Sequence, residues 1–144
     1  MSGLSTEQPG GALERDGRLR RDHTILVADR NPRIRGYVER ELREAGYRVI
    51  AVDSVSQLRS WIATERLPDL LILDPDLPGG GQEDYIWPLL GRHPELPVVF
   101  HCLAADIPSQ IPRMAFTVIV EKSADSIDLL KRQIDLLLSR KHQD

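Results

Sequence analysis

Short runs of apolar residues recur along the chain, separated by longer segments of mixed character. Four of these runs are almost uninterrupted, and a fifth is weaker because it contains an arginine. An apolar residue at nearly every position, rather than at every second one, indicates a strand covered on both faces, as in a parallel sheet flanked by helices. The predicted strands are residues 25–28, 48–52, 70–73, 98–100 and 118–120.

The segment after the first strand predicts a helix. Asn31 followed by Pro32 is a typical start, because an asparagine side chain caps free backbone N–H groups and proline suits the first turn. Gly46 is placed to end this helix. Its apolar positions share one face: Ile34, Val38, Leu42 and Ala45.

Two shorter helices are predicted in the middle of the chain. One covers about residues 56–66 and ends before Pro68, and the other covers residues 83–90. The segment 103–115 has a poor helical pattern, since Pro108 and Pro112 would each remove a hydrogen bond from a helix interior. We expect that segment to be short, irregular or kinked.

A last helix is predicted to open at Ser123 and Asp125. Leu129 and Leu136 widen its apolar stripe beyond one face. The excess apolar surface indicates contact with a partner, and the alternative is that these leucines are half-buried beneath long neighbouring side chains. The positions at core spacing are Ile127, Leu130, Ile134 and Leu137.

Strands that alternate with helices predict a doubly wound five-stranded parallel α/β sheet. Ligands of such sheets gather beyond the carboxyl ends of the strands, at the point where the winding direction switches. The candidates for chemistry are residues that lie one or two positions after the predicted strands: Asp29, Asp74, Cys102 and Lys122.

Composition narrows the class of protein. With 144 residues, 41% of them hydrophobic, the chain fits one globular domain. A net charge of −3 and the absence of a long basic run argue against nucleic-acid binding. The sequence shows neither a membrane span nor a signal peptide, and Cys102 is the only cysteine, so we expect a cytoplasmic protein.

The domain boundaries follow from where apolar periodicity begins and ends. Residues 1–22 mix four arginines with acidic and small residues and are predicted to form a flexible N-terminal tail, with a basic docking segment as the alternative. A single domain is expected over residues 23–141, followed by a C-terminal tail at 142–144. Because no further domain pattern follows, we expect a stand-alone domain.

Four segments of the chain, in their order and spacing, resemble the receiver domains of bacterial two-component response regulators. The strongest is PDLLILDPDLP at residues 68–78, which is similar to the phosphoacceptor strand and loop of that family. ILVADRNP at 25–32 is similar to the segment that carries the acidic pair, and GYRV at 46–49 and EK at 121–122 fall at the expected positions. The resemblance covers residues 24–140 and implies a flavodoxin-like sheet of strand order 2-1-3-4-5.

The resemblance also implies roles for the residues at the sheet edge. Asp74 would accept a phosphoryl group from a histidine kinase, and Lys122 would contact that group. Mg²⁺ would be held by Asp29, Asp74 and the backbone carbonyl of Asp76. A carboxylate attacks phosphorus only when the charge developing on the phosphoryl oxygens is neutralised, which a divalent cation and a lysine do together.

Several positions depart from the family pattern. Arg30 stands where receivers have a second acid, which should weaken Mg²⁺ binding. Cys102 stands at the switch position of a threonine or serine hydroxyl, and a thiol is a weak donor. Ile119 replaces the aromatic or polar residue that moves with that hydroxyl, and Ser123 replaces a common proline. These differences predict a degenerate, pseudo-receiver-like domain with a blunted conformational switch.

The side chain of Arg30 has two possible arrangements. It is either an exposed arginine at a helix start or an inward guanidinium that pairs with Asp74 and partly stands in for the metal. For Asp74 itself, the structural alternative to a phosphoacceptor is a strand-end carboxylate that accepts bonds from backbone donors or from Lys122.

Three functions remain open from the sequence. The first is a receiver phosphorylated on Asp74, and the second is a phosphorylation-independent interaction or dimerisation module. The third, an enzyme, rests on a faint similarity of Asp74-Pro-Asp76 to the Asp-x-Asp motif of haloacid-dehalogenase-like phosphatases. We expect a phosphoacceptor or interaction domain rather than an enzyme. The expected partners are a histidine kinase or another signalling protein, and a second copy through the last helix.

Overall fold

Five parallel strands form the central sheet of the computed structural model, which describes residues 19–64, 66–79, 85–108 and 116–143, with side chains to residue 140. The strands lie in the order β2-β1-β3-β4-β5 and all pair in parallel. This order confirms the predicted doubly wound, flavodoxin-like architecture. The strands are β1 (Thr24–Ala28), β2 (Arg48–Val52), β3 (Leu70–Leu73), β4 (Val98–Cys102) and β5 (Thr117–Glu121).

Helices connect the strands: α1 (Pro32–Glu44), α2 (Val55–Ala63), α3 (Ile86–Gly91) and α4 (Ser126–Gln143). The cap predicted for α1 is present, since Oδ1 of Asn31 accepts from the backbone N–H of Arg33 at 2.9 Å and of Ile34 at 3.2 Å. Gly46 adopts φ 107° just beyond α1, a conformation in which a side chain is disfavoured.

The two middle helices differ from the prediction in their bounds. α2 ends at Ala63 rather than near residue 66, because Thr64 adopts an extended conformation. In α3, Pro88 lies in the first turn, where its missing N–H costs no hydrogen bond within the helix. Residues 83 and 84 of the predicted third helix lie outside the described residues.

The last helix starts later than predicted, at Ser126. The residues before it form a turn in which the N–H of Ser126 donates to the carbonyl of Ser123 at 3.2 Å. Of the predicted irregular segment, residues 104–106 form a short 3-10 turn and residues 109–115 lie outside the described residues.

The start of the described chain contacts the domain. Arg20–Asp22 forms a 3-10 turn, and Nη1 of Arg20 donates to the carbonyl of Ala45 at 3.3 Å while its guanidinium lies 5.7 Å from the ring centre of Tyr47. The rest of the predicted N-terminal tail, residues 1–18, lies outside the described residues, as does Asp144.

Alternating strand side chains divide the core between the two faces of the sheet. Leu26 and Ala28 of β1 pack toward α2 and α3, whereas Ile25 and Val27 pack toward α1 and α4. β1 and β3 are buried at almost every position, as their continuous apolar runs predicted. Within the described residues, no helix is long and apolar enough to cross a membrane.

The register brings the carboxyl ends of the strands together. Ala28 pairs with Leu73, and Cys102 pairs with Glu121. The N–H of Asp74 then donates to the carbonyl of Ala28 at 2.9 Å, and the N–H of Lys122 donates to the carbonyl of Cys102 at 2.8 Å. The residues that follow β1, β3 and β5 therefore meet at one edge of the sheet.

Candidate functional site

Three charged side chains from three strand ends meet at this edge. Nζ of Lys122 lies 2.9 Å from Oδ2 of Asp74, 3.1 Å from Oδ2 of Asp29 and 3.3 Å from Oδ1 of Asp29. The lysine ammonium therefore joins the two carboxylates. The structure brings together the residues that the sequence placed in one pocket, although they are up to 93 positions apart in the chain.

Backbone donors fix both carboxylates from the other side. Oδ1 of Asp29 accepts from the N–H of Asn31 at 2.8 Å, and Oδ1 of Asp74 accepts from the N–H of Asp76 at 3.0 Å. The side chains of Asp29 and Asp74 are each only 3% exposed, and that of Lys122 is 10% exposed. These groups form a closed, hydrogen-bonded cluster with a net charge of −1 when all three are ionised.

Burial and mutual attraction compete in setting the proton affinities of the cluster. Burial raises the pKa of Asp29, and this effect outweighs the hydrogen bond from Asn31 and the attraction of Lys122. Burial alone would lower the pKa of Lys122, but the hydrogen bond to Asp74 and the charge of Asp29 together outweigh it, and the pKa is raised. The lysine is therefore a firmly protonated cation between two acids.

Arg30 pairs with Asp76 at the rim of this cluster. Nη1 of Arg30 lies 3.0 Å from Oδ2 of Asp76, and the two side chains are 53% and 49% exposed. The inward arrangement, in which Arg30 would pair with Asp74, is not the one observed. Because Arg30 follows Asp29 and Asp76 lies two residues after Asp74, this pair links the two loops that carry the buried carboxylates.

Asp76 does not face Asp74 with its side chain. Its carboxylate binds the exposed Arg30, while its backbone N–H binds Asp74. A phosphatase of the Asp-x-Asp type needs the second acid to protonate a leaving group beside the first. The geometry does not favour that alternative.

Cys102 and Ile119, the two positions of the predicted switch, lie in different environments. Cys102 is fully buried in the core on the α2 and α3 side of the sheet, and burial raises the pKa of its thiol to about 11. Ile119 is 41% exposed on β5. The thiol therefore stays protonated and packed as a core residue.

Two contacts near the cluster were missed by sequence reasoning. Nη1 of Arg35 donates to the backbone carbonyl of Asp29 at 2.8 Å, which holds the loop after β1 against α1. Nε2 of His101 lies 3.0 Å from Oγ of Ser126. The linear sequence carried no signal for a pair of side chains 25 positions apart.

Several solved structures with a similar fold are response regulators. The chain is 26% identical to TrrA of Thermotoga maritima, which was solved in complex with Mg²⁺ and BeF. The match covers 80% of this chain and 98% of TrrA, with a TM-score of 0.68. It is 28% identical to a chain in the complex of the histidine kinase ThkA with TrrA, over 81% and 99% of the two chains, with a TM-score of 0.66.

NtrX of Brucella abortus is also similar, with 29% identity and a TM-score of 0.67 over 84% of this chain. The chain spans only 29% of the length of NtrX. No family model matches the sequence, and no curated protein matches it.

The fold and the edge site thus match those of response-regulator receiver domains. The strand order, the placement of Asp29, Asp74 and Lys122, and the likeness to solved receivers agree on this assignment.

The donor set at this edge does not suit a well-held Mg²⁺ ion. Mg²⁺ prefers several hard oxygen ligands in octahedral geometry. In the part of the chain that the structure describes, Asp29 and Asp74 are the two buried carboxylates at this edge, and both already bind Lys122. An arginine follows Asp29 where receivers have their second acid. Among the described residues, no group of three or more histidine, cysteine, aspartate or glutamate side chains is arranged to hold a metal ion.

Proposed function

We propose that this protein is a degenerate receiver domain that transmits signals in the cytoplasm through protein contact, without depending on phosphorylation. The single observation that carries this proposal is the state of the acidic cluster. Lys122 joins two carboxylates that are each 3% exposed, and Arg30 occupies the position of the missing acid. The ammonium of Lys122 supplies the internal counter-charge for these acids.

The exposed pair at the rim supports this proposal. A metal ion approaching Asp29 and Asp74 would meet the guanidinium of Arg30, and like charges repel over several ångströms even in a medium of intermediate dielectric. Asp76 could offer its carboxylate to a metal ion only by giving up Arg30, which would leave the guanidinium without its counter-charge. The site therefore favours its own lysine over an external cation.

The switch positions support it as well. A receiver hydroxyl turns toward the phosphoryl group to report that the site is occupied, as the family resemblance implies. The thiol of Cys102 is buried in the core, and Ile119 offers no hydrogen-bonding group. Neither side chain provides a strong donor to report a change at Asp74.

The outer face of α4 is the contact surface that we propose for the partner. Leu129 and Leu136 are 38% and 37% exposed and lie seven residues apart, on one side of the helix. A second copy of this chain, or a signalling protein such as a histidine kinase, would cover this stripe. Sedimentation of the full chain should show self-association that Leu136→Glu weakens and the control Leu103→Glu, at another exposed leucine, leaves unchanged.

Phosphoryl transfer to Asp74 is the second candidate function. It is favoured by one observation, the ammonium of Lys122 at 2.9 Å from the carboxylate that would be modified. A degenerate domain would have the same contact, so this distance does not distinguish the two functions. Metal binding does distinguish them, because phosphoryl transfer requires a bound cation and the degenerate domain does not.

The experiment that tests the proposal is a Mg²⁺ titration followed by amide NMR shifts. We expect the wild-type protein to show no saturable shifts around Asp29 and Asp74 at millimolar Mg²⁺. Arg30→Asp should gain binding, because it restores an acid beside Asp29 and removes the opposing charge. Arg33→Asp, which makes the same charge change on the exposed first turn of α1, is the matched control and should gain none.

Submillimolar Mg²⁺ binding by the wild-type protein, with shifts centred on Asp29 and Asp74, would overturn the proposal. Equal gains in Arg30→Asp and Arg33→Asp would show that general charge, rather than the position after Asp29, controls metal binding.

A further inference from the structure

His101 is a buried histidine on the opposite face of β4 from Cys102. It is 2% exposed, and its neighbours Phe100 and Cys102 pack toward α2 and α3. Its side chain therefore faces α1 and α4. There it contacts Ser126, the first residue of α4, with Nε2 lying 3.0 Å from Oγ.

The contacts of Ser126 favour one tautomer of this histidine. Oγ of Ser126 also lies 3.0 Å from the backbone carbonyl of Ser123, and a carbonyl oxygen can only accept. When the one hydroxyl proton of Ser126 is donated to Ser123, Nε2 of His101 carries the proton that it shares with Ser126. Nδ1 is then an unprotonated acceptor, and it has no hydrogen-bond partner in the described part of the chain.

This chain of two hydrogen bonds ends next to Lys122. Ser123 is the following residue, and the N–H of Lys122 is itself bound to the carbonyl of Cys102. Two contacts thus connect β4 to the residues at the end of β5. One is the backbone hydrogen bond between Cys102 and Lys122, and the other runs from the side chain of His101 through Ser126 to Ser123.

A cavity beside the turn makes the side-chain contact important. A space of about 480 Å³ lies between α1 and this turn, and Tyr37, His101, Ser123 and Ala124 are among the residues that line it. Packing therefore does not fill the space next to residues 123–126. On this side of the turn, hydrogen bonds take the place of close-packed side chains.

We propose that His101 is a positioning residue for Lys122: through Ser126 and Ser123 it holds the turn that keeps the lysine ammonium between Asp29 and Asp74. The inference rests on the proposed function in one respect, that the lysine cross-link is the state in which the domain works. The contact joins the charged edge to the α1 and α4 side of the sheet.

The test uses three serine substitutions in the full-length chain. Ser126→Ala removes the hydroxyl that links His101 to Ser123, whereas Ser126→Thr keeps a hydroxyl and places its methyl beside the cavity. Ser139→Ala is the matched control, because Ser139 is on the same helix and 3% exposed, yet its Oγ has no hydrogen-bond partner among the described residues.

Two NMR measurements at fixed pH report the result. Amide hydrogen exchange of Lys122 and Ser126, whose N–H groups donate to the carbonyls of Cys102 and Ser123, reports the turn. The signal of the Lys122 ammonium reports whether it stays bound and shielded from water. We expect Ser126→Ala to speed exchange in the turn roughly tenfold, the factor that corresponds to about 1.4 kcal/mol, and to broaden the ammonium signal. Ser126→Thr should restore both, and Ser139→Ala should change neither.

His101 itself gives a second, independent test. Nitrogen chemical shifts of the wild-type protein should show a protonated Nε2 and an unprotonated Nδ1. His101→Gln, whose amide can still donate to Ser126, should keep the ammonium signal, and His101→Leu should lose it.

The proposal is overturned if Nδ1 carries the proton, or if Ser126→Ala and Ser139→Ala behave alike. These outcomes differ from failure of the proposed function, because tight Mg²⁺ binding by the wild-type protein would refute the degenerate site and leave the role of His101 standing.

Discussion

The inner and outer parts of the sheet edge carry the same kind of contact in opposite surroundings. Lys122 and Asp74 are 2.9 Å apart with side chains 10% and 3% exposed, while Arg30 and Asp76 are 3.0 Å apart with side chains 53% and 49% exposed. The two ion pairs have nearly the same length and differ in how far water can reach them.

Burial changes what each pair contributes. An exposed pair is screened by water and salt and is worth about 0–1 kcal/mol, whereas removing one partner of a buried pair leaves an uncompensated charge and costs about 3–5 kcal/mol. We therefore expect the inner contact to control the stability of the domain, and the outer contact to control which cations can approach.

The largest expected effect is that of Lys122→Met. It leaves the carboxylates of Asp29 and Asp74 facing each other without a cation, so the free energy of unfolding at pH 7 should fall by about 3–5 kcal/mol in urea denaturation. The matched control is Lys131→Met, which breaks the ion pair between Lys131 and Glu41. That pair is 3.0 Å long, close to the distances of Lys122 from its two acids, but its side chains are partly exposed. The control should cost about 1 kcal/mol or less. Equal losses in the two variants would show that burial does not separate the pairs.

The second largest effect is the dependence of the free energy of unfolding on pH, which we expect from His101 near Lys122. Burial lowers the pKa of His101 from 6.5 to about 4, and the charge of Lys122 adds to this shift. The unfolded chain therefore binds a proton near pH 6.5 that the folded protein does not bind until about pH 4. The contribution of His101 to the free energy of unfolding should therefore fall by about 3 kcal/mol as the pH is lowered between these values, and level off below them.

The difference between wild type and His101→Leu isolates this contribution. Urea denaturation of both proteins from pH 7 to pH 4 should show the two curves of stability against pH converging as the pH falls. Parallel curves would mean that His101 titrates alike in the folded and unfolded states, which contradicts its buried, neutral form.

The architecture could be predicted because its signals are local. The apolar runs of β1 and β3 marked strands covered on both faces, and Asn31, Pro32 and Gly46 marked the ends of α1. Parallel strands place their carboxyl ends at one edge, so the meeting of Asp29, Asp74 and Lys122 followed from the order of elements.

The contacts that escaped prediction depend on side-chain directions across the fold. Arg30 follows Asp29 in sequence, yet this position alone does not tell whether its guanidinium turns to Asp74 or, as observed, to Asp76. His101 and Ser126 share no sequence pattern, and their hydrogen bond exists only because α4 starts over the end of β4. Such contacts follow from packing geometry rather than from spacing along the chain.

The smallest expected effect is that of Arg30→Met at the rim. It breaks the exposed pair with Asp76 and should change the free energy of unfolding by less than about 1 kcal/mol, a difference that shrinks further in high salt. Thermal or urea unfolding at low and high salt measures it. A loss as large as that of Lys122→Met would show that the rim pair is a structural element rather than a barrier to cations.

The most direct test of the central claim is exposure of the wild-type protein to acetyl phosphate and Mg²⁺, followed by intact-mass measurement. A degenerate site in which Lys122 holds both carboxylates predicts no phosphoryl adduct, and Arg30→Asp serves as the variant in which one should become possible. An adduct on the wild-type protein that disappears in Asp74→Asn would contradict the account and establish Asp74 as a working phosphoacceptor.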